Sequence, residues 1–416
     1  MKFQTLKILS IAAFTSVMFL SCAQTKTATT SKVTTETSAG KTIPTNLKWS
    51  ERMMLSEMKR FPDAWMLDFH KTPKWSYPNG LVLKGAEELY KKNGKKEYFD
   101  YIKGYAEEMV NADGSIKTYK IKNYNIDMLN SGNVLLYLYS VDKQDKYLKA
   151  LQLLRSQLND HPRTSEGGFW HKQIYPHQMW LDGLYMGEPF YANYTQMFDK
   201  GDSANKAYDD IINQFDLIQK HLKDPKTGLL YHGWDESKEQ AWADKQTGLS
   251  PNFWGRAMGW YGMAIVDVLD FLPQNHPGRA RLISYLNSYS EALVKVQDSK
   301  TGLWYQVLDK GGEKGNYLEA SASSMFVYTF AKGARKGYLP TSYKSVAKKG
   351  YDGIIKNLIS VEKDGTVNLN QNCAVAGLGG TPYRSGTYEY YVNEEIRSND
   401  PKGTGPFILA SLELEK

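Results

Sequence analysis

Cysteine and histidine are scarce in this chain of 416 residues, and their scarcity excludes two kinds of site. Cys22 lies in the N-terminal leader and leaves Cys373 without a partner, so no intrachain disulfide is expected. No neighbour supports a catalytic role for Cys373, and we interpret it as a buried thiol. His171 and His177 are six residues apart and lack the i, i+4 spacing of helical metal ligands. We therefore predict no metal site.

Phosphate-binding and nucleophile motifs are also missing. The chain has no Gly-x-x-x-x-Gly-Lys-Ser/Thr loop and no Gly-x-Ser-x-Gly elbow. The glycine-rich residues 377–384 do not lie between an evident strand and a helix, so we expect no nucleotide cofactor. The net charge of +7 is weak and dispersed, which does not favour nucleic acid as a partner. It is compatible with an anionic small ligand.

The N-terminus predicts export. Lys2 and Lys7 precede an apolar run over residues 8–20, which is typical of a secretory signal rather than a membrane span. Ser21 directly before Cys22 resembles a bacterial lipoprotein signal, in which the cysteine is lipidated. We expect residues 1–22 to be the signal peptide and the protein to be a periplasmic or outer-membrane lipoprotein that touches the membrane only through its lipid.

Two further segments follow this signal. Residues 23–45 are rich in Thr, Ser, Ala and Lys without apolar periodicity, and they predict a flexible tether. Residues 46–416 then form one globular domain, in which apolar residues recur at helical spacing and strand alternation is nearly absent. Twelve helices are predicted, at about residues 48–60, 79–93, 96–109, 127–141, 145–158, 180–199, 204–221, 256–272, 277–297, 319–335, 341–358 and 404–415.

A repeated turn separates the predicted helix pairs. Residues 224–231 and 298–305 share six of eight positions, and looser versions occur at residues 112–116, 165–170 and 363–367. Such recurrence indicates a repeated helical hairpin. Six hairpins would close into an all-α ring, with inner helices lining a funnel and the turns forming its rim. The alternative is an open helical solenoid, whose repeats are usually shorter and more uniform.

The residues between His171 and Tyr194 are unusually aromatic and contain one aspartate, Asp182, between Leu181 and Gly183. Burial among aromatic rings would favour the protonated form that a general acid needs. The ordinary alternative is a buried aspartate that caps a helix or binds a backbone N–H.

A second aspartate, Asp127, begins a predicted helix, where its ordinary role would be an N-cap. Asp182 lies near another predicted helix start, although Glu188-Pro189 offers a second place for that helix to begin. In a ring of hairpins, neighbouring inner helices present the same end to the funnel. The two aspartates would therefore converge on one cavity, as acid–base chemistry on a sugar requires.

A third cluster surrounds Arg256, which is flanked by Trp254 and Trp260. Arginine suits bidentate recognition of a carboxylate and tryptophan suits stacking on a ring, so this cluster indicates a pocket for an acidic sugar. The alternative is a cation–π contact in the core. His232, directly after the first of the repeated turns, is expected on the same rim.

Three motifs together resemble a known family. The runs MWLDGLYMGEPF at residues 179–190, NFWGRAMGW at residues 252–260 and NDPKGTGPFILA at residues 399–410 are similar to glycoside hydrolase family 105, the unsaturated rhamnogalacturonyl hydrolases. Family 88, the unsaturated glucuronyl hydrolases, is related. The resemblance covers residues 46–416 and implies an (α/α)6 barrel that acts as the catalytic domain without a cofactor. Met258 stands where the family often has a small polar residue, which leaves the substrate preference open.

The resemblance also implies a reaction. Polysaccharide lyases leave a C4=C5 double bond on the terminal uronic acid of their products, and the family hydrates that enol ether. Asp182 would protonate C4 and deprotonate the incoming water, while Asp127 would position the water or the sugar hydroxyls. Seven further residues would contact the substrate. Arg256 and His232 would hold the carboxylate and hydroxyls, and Trp254 and Trp260 would stack on the sugar. His171 would be another contact, with His177 and Tyr77 as weaker candidates.

The expected substrate is unsaturated galacturonyl-rhamnose from rhamnogalacturonan. Two alternatives remain open at this point. One is an unsaturated glucuronyl hydrolase acting on ulvan or glycosaminoglycan lyase products. The other is a non-catalytic glycan-binding lipoprotein.

Overall fold

The computed structural model describes residues 42–415. The predicted signal peptide, the lipidation site Cys22 and nearly all of the predicted tether lie outside the described residues. None of the helices within residues 42–415 combines the length and apolar character needed to cross a lipid bilayer.

Helices dominate the described chain. They are α1 Trp49–Arg60, α2 Tyr77–Asn93, α3 Lys96–Met109, α4 Gly132–Asp142, α5 Asp145–Asp160, α6 Leu181–Phe198, α7 Gly201–Leu222, α8 Gly255–Phe271, α9 Gly278–Lys295, α10 Ala320–Arg335, α11 Tyr343–Asn357, α12 Tyr388–Asn393 and α13 Pro401–Leu414. The strands are β1 Gln178–Trp180, β2 Gly233–Asp235, β3 Ile359–Val361, β4 Val367–Leu369, β5 Asn372–Cys373 and β6 Ile396–Arg397. The strands form three antiparallel pairs, β1–β2, β3–β4 and β5–β6.

Six helices form a closed inner ring. Helices α2, α4, α6, α8, α10 and α13 each pack on the next, and α13 packs back on α2. Helices α3, α5, α7, α9 and α11 each return along the outside of the inner helix that precedes them, whereas α1 packs on α13. The predicted all-α (α/α)6 barrel is therefore confirmed.

The sequence explains which helices are inner. Helices α8 and α10 are buried along almost their whole length, as expected for helices that are apolar or small-sided all round. Small residues let the inner helices approach closely, since a Cβ atom at Gly259 of α8 would lie 2.5 Å from Met325 Sδ of α10. Outer helix α7 instead buries one face and leaves charged residues on the other.

The twelve predicted helices are all present, with ends that differ by a few residues. The short helix α12 was missed because six residues are too few to show a period. Helix α6 begins at Leu181 rather than at Glu188, and Pro189 lies inside it. Proline has no N–H, so Pro189 cannot donate a hydrogen bond to the carbonyl of Tyr185 one turn earlier. That carbonyl instead accepts a hydrogen bond from Asn130 Nδ2 at 3.3 Å.

The ordinary alternative for Asp127, a helix N-cap, is excluded, because the predicted helix start at this residue is wrong. Helix α4 begins at Gly132, and a 3-10 helix occupies Ile126–Leu129. Asn125 caps this turn, because its side-chain oxygen accepts a hydrogen bond from Asp127 N at 3.1 Å. The carboxylate of Asp127 does not cap a helix and instead lies against Lys172 and His171.

The repeated turn has a local explanation. Asp224 Oδ2 accepts hydrogen bonds from Thr227 N at 2.8 Å and Thr227 Oγ1 at 2.6 Å. Gly228 follows with a φ of +78°, which glycine adopts without strain. The second copy, at residues 298–305, makes the same bonds. The role of this motif is to turn the chain.

Candidate active site

A short strand pair places Asp182 in the funnel. Strand β1 pairs with β2 so that Trp180 lies opposite Gly233. Leu181 N then donates a hydrogen bond to the carbonyl of His232 at 3.0 Å. Helix α6 begins at this point, and its second residue, Asp182, is carried to the side of His232.

Asp182 and His232 form the centre of the site. His232 Nε2 lies 3.1 Å from Asp182 Oδ2, and His232 Nδ1 lies 2.7 Å from the hydroxyl of Tyr391. The ring of His232 is fully buried, whereas the side chain of Asp182 keeps 14% of its exposure. The residue before α6, Trp180, provides no side-chain cap, and Asp182 contacts His232 rather than capping the helix. Asp182 is less buried than its sequence predicts, because it faces the funnel.

Asp127 lies in a second cluster of polar side chains, with Lys172 and His171. Its Oδ2 is 2.7 Å from Lys172 Nζ and its Oδ1 is 3.3 Å from His171 Nε2. Burial alone would raise the pKa of the Asp127 carboxyl, but the nearby charge of Lys172, together with His171, brings that pKa below its usual range. Asp127 is therefore an ionised carboxylate. Lys172 was missed by the sequence analysis, and its position next to His171 was the only signal.

Trp180 joins the two clusters. Its ring stacks on His171 at 4.3 Å and meets the ring of His232 edge-on at 5.4 Å. Desolvation lowers the pKa of the His171 imidazole to about 4, although Asp127 acts in the opposite direction. His171 is therefore a neutral ring at physiological pH. The structure brings His171, His232, Asp127 and Asp182 together. His232 is fully buried between Asp182 and Tyr391 rather than placed on the rim, so we correct its predicted contact with the sugar.

Tyr77 also reaches this site as the first residue of α2. Burial raises the pKa of its phenol well above the usual value, and the charges of Asp127 and Asp68 add to the effect. Tyr77 therefore keeps its proton and presents a hydroxyl donor. Its ring meets Trp260 edge-on at 6.1 Å.

Arg256 occupies a different position from the one expected. It is 1% exposed, its Nε donates to Ser321 Oγ at 2.8 Å, and its Nη2 donates to the carbonyl of Cys373. Glu319 Oε1, which is fully buried, lies 3.7 Å from Nη2. These contacts make Arg256 a structural cation under the site, and we correct its predicted role of holding a sugar carboxylate. Cys373 is a buried free thiol, as predicted.

The two tryptophans beside Arg256 are also corrected. Trp254 and Trp260 are each 1% exposed, which leaves no free ring face for a sugar. Trp260 stacks on Tyr185 at 5.1 Å, while Trp254 stacks on Tyr391 at 5.9 Å. Their predicted stacking on substrate is replaced by packing against Tyr185 and Tyr391.

His177 lies at the rim. Its side chain is 46% exposed, its Nδ1 is 3.8 Å from Glu236 Oε2, and its ring packs on Trp170 at 4.6 Å. It does not contact either aspartate cluster, so any substrate contact would be at the mouth of the funnel.

The start of α13 adds charged residues that the sequence analysis did not single out. Asp400 caps this helix by accepting a hydrogen bond from Lys402 N at 2.8 Å. Arg397 lies 2.6 Å from Asp400 Oδ2 and 2.9 Å from Asp68 Oδ1. This network fixes the N-terminus of α13 within the motif NDPKGTGPFILA.

A cavity of about 630 Å³ lies elsewhere, among the C-terminal halves of the inner helices. Its charged residues pair with one another, for example Lys332 with Asp267 at 2.6 Å and with Asp270 at 2.7 Å. None of the residues of the Asp127 and Asp182 clusters lines it, so its size is not an argument for catalysis there.

The residues of the described chain contain no group of three or more His, Cys, Asp or Glu side chains placed to hold a metal ion. The site is instead a pair of carboxylates with two histidines and a lysine. In the comparison with known families, residues 49–416 match the family model of Glycosyl Hydrolase Family 88. The chain belongs to glycosyl hydrolase family 88.

This family 88 enzyme is similar to several proteins whose structure or activity has been named. A crystallised family 105 glycoside hydrolase of C. acetobutylicum is 50% identical, covers 89% of this chain and 99% of its own, and superposes with a TM-score of 0.84. The unsaturated rhamnogalacturonyl hydrolase YesR of Bacillus subtilis is 29% identical over 71% of this chain and 78% of its own length. An unsaturated 3S-rhamnoglycuronyl hydrolase of Alteromonas is 27% identical over 56% of this chain and 50% of its own length. The predicted family and the assignment as a glycosidase are thus confirmed.

Proposed function

We propose that this enzyme removes the 4,5-unsaturated uronic acid from the non-reducing end of lyase-generated oligosaccharides, with unsaturated galacturonyl-rhamnose from rhamnogalacturonan as its substrate. The observation that carries the proposal is the contact between Asp182 and His232 at the funnel, opposite an ionised Asp127 held by Lys172. An acid and a carboxylate with separate environments are what proton transfer to an enol ether and activation of water require.

The reaction follows from these roles. Asp182, in its protonated form, gives its proton to C4 of the double bond, which develops a positive charge at C5. The Asp182 carboxylate then takes a proton from a water molecule as that water adds to C5. The resulting hemiketal opens and releases the second sugar, so the glycosidic bond breaks without direct attack at C1. His232, held by Tyr391, keeps the Asp182 side chain in position through both proton transfers.

Asp127 orients the substrate in this scheme. Because its pKa is lowered, it is a carboxylate that accepts hydrogen bonds from sugar hydroxyls or from the attacking water. Its partner Lys172 keeps 22% of its side-chain exposure, whereas Arg256 keeps 1%. Lys172 is therefore better placed than Arg256 to attract the carboxylate of an unsaturated uronic acid.

The name of the YesR relative favours a galacturonyl end attached to rhamnose. The Alteromonas relative is named an unsaturated 3S-rhamnoglycuronyl hydrolase, so a different uronic acid end is the second candidate, which we take as the glucuronyl end of ulvan or glycosaminoglycan lyase products. Both substrates carry the same enol ether and the same carboxylate, so the same catalytic residues serve either. Membership of an enzyme family removes the earlier alternative of a non-catalytic glycan-binding lipoprotein.

Side-by-side digestion tests the proposal. The purified protein is incubated with lyase products of rhamnogalacturonan, ulvan and a glycosaminoglycan, and the loss of the enol-ether ultraviolet absorbance is followed. We expect rapid loss of absorbance with the rhamnogalacturonan product. We expect no release of sugar from the saturated counterpart of that product. Faster loss with the ulvan or glycosaminoglycan product would establish the second candidate. Equal cleavage of saturated and unsaturated substrates would contradict the hydration mechanism.

A further inference from the structure

A small cavity lies behind His171, on the side of the ring that faces away from Asp127. Its volume is about 10 Å³, which is the volume needed for one water molecule. Helix α6 supplies three of its walls, at Gly183, Leu184 and Glu188. The remaining lining residues are Ile126, Phe169, His171, Met179, Trp180 and Gln214.

Two of the described residues that line this cavity each have a buried polar atom without a hydrogen-bond partner. Among the described residues, neither His171 Nδ1 nor Glu188 Oε2 has a hydrogen-bond partner, although His171 is 3% exposed and Glu188 is 1% exposed. A Cβ atom at Gly183 would lie 3.4 Å from His171 Nδ1, which shows that this nitrogen faces α6. Buried polar groups in folded proteins are nearly always hydrogen-bonded, directly or through water. Each atom therefore calls for a partner, and one water molecule in the cavity that both residues line would supply it to both.

The protonation states of the two residues are complementary. Burial raises the pKa of the Glu188 carboxyl well above its usual value, and the charge of Asp210 adds to this while Arg163 opposes it. Glu188 is therefore a neutral acid with an O–H to donate. The neutral His171 ring carries one proton on one of its two nitrogens, and the other nitrogen accepts a hydrogen bond.

The position of Asp127 decides which nitrogen carries that proton. Asp127 Oδ1 lies 3.3 Å from His171 Nε2. A proton on Nε2 points at this carboxylate, whereas a proton on Nδ1 would place the Nε2 lone pair against a negative charge. The Nε2–H form leaves Nδ1 as an acceptor that faces the cavity and Glu188.

We propose that Glu188 is a positioning residue, which donates a hydrogen bond through one water molecule to His171 Nδ1 and so keeps the histidine proton on Nε2, directed at Asp127. The chain from Glu188 to His171 to Asp127 thus orients the carboxylate that in turn orients water and substrate. The catalytic consequence rests on the function proposed above. The tautomer of His171 does not, because it is a property of the free protein.

Two variants of equal length separate hydrogen bonding from packing. Glu188→Gln keeps an N–H donor and the shape of the side chain, whereas Glu188→Met keeps only the shape. Thr195→Val is a matched control, since Thr195 is another buried polar residue of α6 whose Oγ1 has no partner within residues 42–415, and it does not line the cavity. Thermal unfolding of each variant shows whether it is folded.

The direct measurement is the tautomer of His171 in the substrate-free protein, from the nitrogen-15 shifts of its ring in histidine-labelled samples assigned with His171→Gln. We expect the Nε2–H form in the wild type, Glu188→Gln and Thr195→Val. In Glu188→Met we expect a substantial Nδ1–H population. An Nδ1–H wild type, or an unchanged tautomer in Glu188→Met, would overturn the proposal.

The kinetic measurement is made on the unsaturated substrate. Glu188→Met is expected to lower kcat by about tenfold with little change in KM, which is the size of effect seen when a residue that orients an active-site group is lost. Glu188→Gln is expected to restore the wild-type kcat. Equal losses in Glu188→Met and Glu188→Gln would contradict the positioning role. If the wild type turns over no unsaturated substrate, the proposed function fails while the tautomer measurement still tests the Glu188 chain.

Discussion

His232 Nε2 lies 3.1 Å from Asp182 Oδ2, although fifty residues of chain separate the two side chains. The contact is built by the β1–β2 pair, in which Trp180, two residues before Asp182, lies opposite Gly233, the residue after His232. Tyr391 then holds the far side of the histidine ring at 2.7 Å. Asp182, the second residue of the inner helix α6, therefore has His232 as a fixed neighbour on one side and is open toward the funnel on the other.

Asp182 should be the residue whose loss stops the reaction. Asp182→Asn keeps the shape of the side chain but cannot give and take the proton at C4, so kcat should fall by about a thousandfold or more. KM should change little. The rate is measured by the loss of enol-ether absorbance. Asp244→Asn, at an exposed turn, is the control and should keep full activity. A near-wild-type rate in Asp182→Asn would exclude Asp182 as the acid.

Lys172 should control the pH dependence through Asp127. Lys172 helps to hold the pKa of Asp127 below its usual range, so Lys172→Met should raise that pKa. The acidic limb of the kcat/KM profile should then move to higher pH, because Asp127 is protonated earlier as pH falls. KM for the acidic substrate should also increase. The control is Lys122→Met, at an exposed lysine, which should leave both the acidic limb and KM unchanged. An acidic limb that does not move would show that Asp127 ionisation does not limit the rate.

Arg256 should matter chiefly for stability. Arg256→Ala leaves the fully buried Glu319 without its cation and removes the hydrogen bonds to Ser321 and Cys373. Breaking a buried pair in this way costs about 3 to 5 kcal/mol of unfolding free energy, which chemical denaturation measures. Arg281→Ala, which removes an exposed arginine paired with Asp216, should have little effect. Unchanged stability with a raised KM would restore the original prediction that Arg256 binds the sugar carboxylate.

Glu57 should make the fold less stable at neutral pH than at acidic pH. Desolvation raises the pKa of this buried carboxyl to about 7, although Arg60 acts in the opposite direction. The unfolded chain releases this proton at a lower pH than the folded chain. Stability therefore falls as pH rises from the usual range of glutamate, about 4.3, to about 7, by about 3 kcal/mol at most.

Glu57→Gln removes this titration and tests it. Its unfolding free energy should match that of the wild type at low pH and exceed it above pH 7, as followed by denaturation across that range. The exposed Glu97→Gln is the control and should follow the wild-type curve. A Glu57→Gln protein that loses stability with rising pH as the wild type does would contradict the assignment.

Cys22 should determine where the protein is found. If the cysteine is lipidated, the wild type should partition with membranes and incorporate a labelled fatty acid, while Cys22→Ala should not incorporate the label. Cys373→Ala is the control, because that thiol is buried inside the barrel domain. Absence of label from the wild-type protein would refute the predicted anchor.

Much of the fold could be predicted from local pattern. The helices near residues 180–199 and 256–272 were recognised because apolar spacing sets which face of a helix is buried. The Asp-x-x-Thr-Gly turn was recognised from two copies, and a third occurs at residues 244–248, where Asp244 Oδ1 accepts from Thr247 N at 2.7 Å. That third copy was overlooked because no predicted helix pair surrounds it.

The contents of the site were predicted less completely. Asp127, Asp182, His171 and His232 were singled out, and they do converge. Lys172 was not, since nothing in the local pattern separates a lysine paired with a buried carboxylate from a solvated one. Trp254 and Trp260 were assigned to the sugar, whereas both rings are buried and stack on Tyr391 and Tyr185.

The sequence by itself determined the twelve long helices and their order as hairpins, because these depend on residues close together in the chain. It also singled out the two aspartates that lie near the starts of two inner helices. The tertiary structure decided which side chains face the funnel and which lie under it. Asp182 and His232, or Glu188 and His171, become neighbours only when the ring closes and short strands pair across it. Burial and pKa depend on those distant neighbours, and local sequence does not contain them.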